Sequence, residues 1–294
     1  VQTQASPTKK DIVQPIAYDA VGRETRQYLP YTGGSNGYYK TEALDLANYP
    51  NSQQYLFYQP SRITGDGDVR ASDPKPYSAT QFEDSPLNRV LESGATGEAF
   101  LAKPVKAMTR TNVANEVRYF TYAFNTDGTY GTVSSPGFYG AGQLTVAEMT
   151  DEHRPKSLEY KNKEGLLVLK KVQLIAATSL TDAHFAFIYH IYDRFNQLRM
   201  VIQPEGVATL PTTGNFTPDA TFISRWSFIY HYDGRARMIK KRVPGGSSVW
   251  MVYNARDQLI LTQDARQKSD KKWSFTKYDA LGRMVSTGLY LGFC

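Results

Sequence analysis

The strongest constraint on this chain is a short pattern that recurs five times without gaps: YDAVGRE from Tyr18, YDRFNQL from Tyr192, YDGRARM from Tyr232, YNARDQL from Tyr253 and YDALGRM from Tyr278. The second position is always Asp or Asn: Asp19, Asp193, Asp233, Asn254 and Asp279. Three residues further on stand Gly22, Asn196, Ala236, Asp257 and Gly282. Gly, Asn and Asp enter the left-handed backbone region most readily, and a short Asp or Asn side chain bonds the amides of its own turn. Together these are the needs of a hairpin built on a type I turn followed by a left-handed residue. Asp19, Gly22, Asp193, Asn196, Asp233, Asn254, Asp257, Asp279 and Gly282 are therefore read as structural turn residues. Ala236 departs from the pattern, and its neighbour Gly234 would shift that turn by a residue or two.

The segments before the turns read as strands. Phe185, Phe187 and Tyr189 alternate onto one face, as do Phe228, Tyr230 and Tyr232, and Val249, Met251 and Tyr253. Tyrosine occurs 21 times in 294 residues, and aromatics make up 13%, a load that favours sheet. From Tyr192 the motif tyrosines are spaced by 40, 21 and 25 residues. A step near 20 fits one hairpin with its connection, and 40 fits two hairpins, one of them blurred. EVRYFTYAF at 116–124, QLTVAEM at 143–149 and SLEYKNKEGLLVLKKVQL at 157–174 are further strands, the last a hairpin turning at Gly165. Residues 11–31 read as two strands around a turn, with Pro15 at an edge or bulge. Helix signals are sparse. SPLNRVLESG at 85–94 has a capping Ser85, Pro86 at the first helical position and Gly94 to end it, and TEALDLAN at 41–48 offers a second short helix.

The repeated unit resembles the YD repeat of RHS (rearrangement hot spot) bacterial proteins, most closely from Tyr192 onward and at 278–284. KDIVQPIAYDAVGRETRQYLPY, PYSATQFEDSPLNRVLESG and EYKNKEGLLVLKK are similar to the uncharacterised module that precedes such repeats in large surface proteins of Gram-negative bacteria. The resemblance implies a mainly β fold of antiparallel hairpins stacked in a curved sheet, with a few short helices in the N-terminal half. It divides the chain into a capping module over 1–155 and a repeat region over 156–294. It further implies a non-catalytic structural segment, the leading part of a secreted or cell-surface β-shell that encloses a C-terminal effector. Its partners would be the downstream repeats and C-terminal domain of its own polypeptide. The family's self-cleaving Asp-Pro-x-Gly motif has no counterpart, since DPK at 73–75 does not match.

Other chemistries find little footing. His153, His184, His190 and His231 make no ligand spacing, and IYHIYD and IYHYD place His190 and His231 at equivalent strand positions. Asp66, Asp68 and Asp73 resemble the start of a calcium loop, but Arg70 occupies the place of an oxygen ligand. GGSS at 245–248 is a hairpin tip, not the elbow of a nucleophilic serine, and GAG at 140–142 leads into a strand, not a phosphate-binding helix. The acid pairs Glu83/Asp84 and Asp151/Glu152 are adjacent, so on a strand they point oppositely. No catalytic, cofactor-binding or metal residue is assigned, and no cofactor is expected. The formal charge of +6 is uneven: residues 1–150 carry 13 basic and 15 acidic side chains, residues 151–294 carry 21 and 13. That asymmetry fits Lys and Arg on solvent faces of strands, where they discourage edge pairing. No nucleic acid is expected. The alternative function is a surface adhesion module, with a cell-surface glycan or protein bound by aromatic and basic stretches such as KKWSFTKYD at 271–279. The single cysteine, Cys294, allows no intrachain disulfide, and no apolar run is long enough for a membrane-spanning helix. The chain reads as a piece of a longer polypeptide.

Overall fold

A computed structural model describes residues 1–60, 72–125, 131–177 and 179–291. The fold is mainly antiparallel β with a few short helices. Contacts divide the chain into two compact units, Val1–Met108 with Glu148–Lys156, and Thr109–Ala147 with Ser157–Cys294.

In the first unit, β1 (Ile12–Val13), β2 (Ile16–Ala17), β3 (Arg26–Tyr28) and β4 (Tyr31–Thr32) precede a helical turn and α1 (Gln53–Phe57). β5 (Tyr77–Phe82), β6 (Val90–Gly94), α2 (Glu98–Leu101) and β7 (Val105–Thr111) follow. The strands run β2-β3-β5-β6-β7, with β1 and β4 forming a separate pair. Val13, Tyr31 and Ala43 are buried against Phe57 and Tyr58, while Tyr28, Tyr49 and Tyr77 pack with ring centroids 5.4–5.7 Å apart. The helix expected over 85–94 is not formed. Ser85 opens a turn closed by the Glu83–Arg89 ion pair at 2.8 Å, and Val90–Gly94 instead pairs with β5 from Phe82↔Val90 to Ala79↔Gly94. Residues 41–48 are likewise non-helical, and α1 begins only at Gln53.

In the second unit, β8 (Arg118–Ala123) and β9 (Thr132–Phe138) form a hairpin, and β10 runs over Thr145–Thr150. Ten strands then follow in sequence order: β11 (Lys156–Lys161), β12 (Leu167–Gln173), β13 (Phe185–Tyr192), β14 (Leu198–Ile202), β15 (Ser227–Tyr232), β16 (Met238–Arg242), β17 (Ser248–Tyr253), β18 (Leu259–Gln263), β19 (Lys272–Tyr278) and β20 (Met284–Leu291). Each pairs antiparallel with the next. The connection from β14 to β15 holds α3 (Pro204–Ala208) and α4 (Ala220–Trp226), and α5 (Ala265–Ser269) follows β18. Helices are thus not confined to the N-terminal half. The 40-residue step contains no blurred hairpin: its extra length is spent on α3 and α4, whose Val207, Phe222 and Ile223 pack on the core.

That core gathers Val117, Val133, Leu144 and Val146 with Leu158, Tyr160, Leu169, Tyr189 and Ile202. This shared burial packs residues of 109–147 against the strands that follow Ser157. Burial then thins along the meander: β14 is buried at four of five positions, β16 is half-buried throughout, and all eight residues of β20 are exposed.

Arg118 and Glu116 each anchor a polar network in the second unit. Arg118, 3% exposed, donates to Ser135 Oγ and to the carbonyls of Pro211 and Gly214, pinning a loop to the β8–β9 hairpin. Glu116 accepts from Arg110 at 2.6 and 3.0 Å, from Tyr160 Oη at 2.7 Å and from the Val113 amide at 2.9 Å. Burial alone would raise its pKa, but these donors outweigh burial and hold the carboxyl at about 2, against 4.5 unperturbed. A carboxyl depressed on folding stabilises fully above its unfolded pKa and loses that contribution as pH falls through the folded one. Glu116→Gln is therefore expected to lower stability at neutral pH and to flatten its decline between pH 4.5 and about 2; urea midpoints measured across that range check it.

Candidate functional site

The five repeated segments build one local geometry. In the last of them, Asp279 N donates to Arg283 O at 2.9 Å and Gly282 N to Asp279 O at 3.1 Å. Asp279 Oδ1 accepts from the amides of Leu281 and Arg283, each at 2.9 Å, and Oδ2 accepts from Arg283 Nε at 2.7 Å. Asp19 repeats this with Val21, Arg23 and Gly22, and Asp233 with Arg235, Arg237 and Ala236. At Asp193 the amide partners are Phe195 and Gln197, and Arg199 supplies the guanidinium at 2.6 Å. Asn254 keeps the amide bonds to Arg256 and Gln258. Because an amide has no second anionic oxygen, its Nδ2 instead donates to Gln258 Oε1 at 2.7 Å. Asn254 and Gln258 thus form a neutral pair where Asp19, Asp233 and Asp279 each form an ion pair with arginine.

The residue three beyond each Asp or Asn is left-handed: φ is 84° at Gly22, 61° at Asn196, 62° at Ala236, 62° at Asp257 and 83° at Gly282. Ala236 holds the same register as the others, so Gly234 shifts nothing; two amide bonds and the Asp233–Arg237 pair at 2.6 Å hold the alanine in a region it disfavours. In the second unit's repeats, the register shifts beside the motif tyrosine, between Ile191 and Tyr192, His231 and Tyr232, Val252 and Tyr253, and Lys277 and Tyr278. These are the bulges that such turns impose.

Turns elsewhere share the geometry without matching the sequence pattern, among them one at Ser6 with Lys9 at φ 58° and two built on Asn or Asp. Asn162 closes on Leu166 with Gly165 at φ 78°, and Asp151 closes on Pro155 with Arg154 at φ 76°. The first lacks a tyrosine immediately before Asn162, and the second places an arginine where no composition rule expects a left-handed residue.

The tyrosines and arginines tie neighbouring hairpins together. Tyr192 Oη donates to Leu167 O at 3.2 Å, Tyr253 Oη to Met238 O at 2.8 Å and Tyr278 Oη to Leu259 O at 3.0 Å; each acceptor is the first residue of a strand in the preceding hairpin or hairpin arm. Arg237 reaches Asn254 O and Asp257 of the next turn, Arg256 reaches Ala280 O, and Arg23 reaches Glu83 O and Asn88. Tyr18, 64% exposed, stands apart from this latch, and Tyr232 instead carries the Arg199 guanidinium over its ring, 5.1 Å from the centroid.

The residues singled out for other chemistry are dispersed. His190 pairs with Val201 and His231 with Lys240; counted from the bulge, His231 corresponds to Ile191, so the two histidines occupy opposite faces and not equivalent positions. The extra isoleucine in IYHIYD causes the offset. His184 Nδ1 lies 3.0 Å from Thr181 N at the end of a helical turn. Asp73 accepts from the amides of Lys75 and Glu98, while Asp66, Asp68 and Arg70 lie outside the described residues. GGSS joins β16 to β17, with Gly245 at φ 63°. Among the described residues, no three His, Cys, Asp or Glu side chains converge as a metal site would require, and no helix is long and apolar enough to cross a membrane.

Residues 1–114 match a family described as a domain of unknown function, DUF6443. No curated protein matches. Solved structures similar to this chain include a Photorhabdus luminescens Tc holotoxin pore with a mutation in TccC3, at 12% identity and a TM-score of 0.48. TcdB2-TccC3 is similar at 15% identity and 0.48, and TcdB2-TccC3-Cdc42 at 13% and 0.47. In each of these, 95% of this chain is covered and 10% of the other, so the chain spans about a tenth of their length.

Two substitutions test the turn and the latch. Ala236→Gly is expected to raise stability by about 0.5–1 kcal/mol, because the relief of left-handed strain exceeds the added chain entropy. Tyr253→Phe is expected to lower it by about 1 kcal/mol through loss of the bond to Met238, whereas Tyr18→Phe leaves the urea midpoint unchanged.

Proposed function

We propose that this chain is a non-catalytic structural segment of an RHS-type β-shell, built to be continued by further hairpins of its own polypeptide. The observation that carries the reading is the interlock: within the second unit each turn fixes its own hairpin, and the tyrosines and arginines fix each hairpin to its neighbour. A hairpin alone buries too little to be stable, and stacking is what supplies the missing contacts. β20 fits this reading. Among the described residues it pairs only with β19, and its sequence MVSTGLYL carries no charge. Its outer edge has none of the lysine or proline that usually protects a terminal strand. Met284 begins β20 as Met238 and Leu259 begin theirs, so its carbonyl is the equivalent acceptor for the tyrosine of a following unit. Secretion, and enclosure of a C-terminal effector, belong to the same proposal through the resemblance of the repeats.

Amide hydrogen exchange tests it. In the chain as given, β20 is expected to exchange fast and β13–β14 slowly. In a longer product of the same gene, β20 amides are expected to gain protection comparable to β18. Unchanged fast exchange at β20 in that longer product would overturn the reading.

A further inference from the structure

A cleft of about 930 Å³ lies within the second unit, and its charge is one-sided. Its floor is made by two cross-strand rows on β15, β16 and β17: His231–Lys240–Trp250 and Ile229–Arg242–Ser248. Lys268 of α5 borders it on one side, and Ile223 of α4 adds apolar wall. Among the described residues, the lining contains Arg199, Lys240, Arg242 and Lys268 and neither Asp nor Glu.

The four cations are not equivalent. Arg199 is neutralised by Asp193 at 2.6 Å and belongs to the turn machinery. Arg242 is held by a neutral partner, Ser224 Oγ, at 2.9 Å. Lys240 and Lys268 both approach the Trp250 ring, with Nζ 4.3 and 5.7 Å from its centroid. Cation–π contact orients the Lys268 ammonium without cancelling its charge. The positive field registers on His231, whose pKa is pushed down to about 4, first by burial and then by Lys240 and Arg199, so the imidazole adds no charge near neutrality. Ser247, Ser248 and Ser269 bring hydroxyls to the same walls, which gives the GGSS tip a place in a site the hairpin reading left without a role. The volume lies in the range of small-molecule sites.

We infer that this cleft binds a small dianionic ligand, a phosphomonoester or a dicarboxylate, whose oxyanions sit between Arg242 and Lys268 beside Trp250, with its apolar part against Ile223 and Ile229. Like charges held together in a partly enclosed space repel one another, and an oxyanion placed between them reverses that repulsion. The inference stands independently of the shell reading, since it uses no edge or partner hairpin.

Isothermal titration of the intact chain at low salt, with phenyl phosphate, phthalate and the neutral analogue benzyl alcohol, tests it. One or both dianions are expected to bind stoichiometrically at millimolar concentration or below, and the tighter of the two identifies the oxyanion class; benzyl alcohol is expected not to bind. Lys268→Gln and Arg242→Gln are each expected to weaken binding about tenfold, and their combination to abolish it. Lys277→Gln, on β19 and outside the lining, is expected to leave it unchanged. Lys268 is exposed, so the charge reversal Lys268→Glu keeps the test informative even if Arg242→Gln disturbs folding. Absence of binding by both dianions overturns the inference. So does equal weakening by Lys277→Gln, or binding of hexaglutamate peptide without binding of either small dianion.

Discussion

Everything in the repeat region depends on one backbone constraint, a left-handed residue held three positions after an Asp or Asn. Left-handed geometry at that point reverses the chain and forces a bulge beside the motif tyrosine. The bulge sets register, and register in a sheet decides which side chains face the core, since a slip of one residue would exchange the two faces of a strand. At Asp193 that decision keeps Ile191 buried opposite Met200. The Asp carboxylate secures the geometry twice over, with one oxygen on two amides and the other on a guanidinium. At Ala236 the same bonds retain a residue with no intrinsic reason to be there.

From that turn the rest of the motif follows as coupling. Tyr192, Tyr253 and Tyr278 lie at bulges, where their hydroxyls reach the start of an adjacent strand, and Arg237 beyond the left-handed residue reaches the next turn. A nearest-neighbour chain of this kind derives its stability from interfaces between units more than from any unit alone. The thinning of burial from β14 to β20 is the expected profile when α3, α4 and the β8–β9 hairpin pack over the earlier strands of the meander and not over its last strand.

How much of this the sequence shows depends on where the determining contact lies. Hairpins whose signal is local, such as those at Asp233 and Asp279, are legible because the Asp, the turn residue and the arginine fall within five residues. The left-handed Arg154 is invisible, since nothing about arginine announces it. SPLNRVLESG carries helix punctuation, yet pairing of Val90–Gly94 with β5 and the Glu83–Arg89 bond override propensity, which is a weak prior over so few residues. α4 and α5 do have local caps, Asp219 accepting from Phe222 N and Asp264 from Gln267 N, but helices of seven and five residues are too short to show a periodic face. The equivalence of His190 and His231 fails for a subtler reason: aligning on similar letters counts from the wrong end, and only the bulge supplies the true origin.

The distribution of charge separates structural from available groups. Perturbed ionisation in a cleft often marks chemistry, but it equally marks architecture. Here the carboxyls held below their ordinary range have cationic partners close by: Asp11 beside Lys40, Asp19 beside Arg23, Glu83 beside Arg89, Glu116 beside Arg110, Glu159 beside Lys170, Asp233 beside Arg237 and Asp279 beside Arg283. Those acids and bases are engaged within the fold itself. Arg242 and Lys268 are arranged otherwise, one on a neutral hydroxyl and the other beside an indole ring, in a hollow to which the described residues bring no carboxylate. A surplus of positive charge that the fold does not use for its own closure is the feature that a turn-and-latch architecture leaves unexplained, and an anion from outside is what it would accommodate.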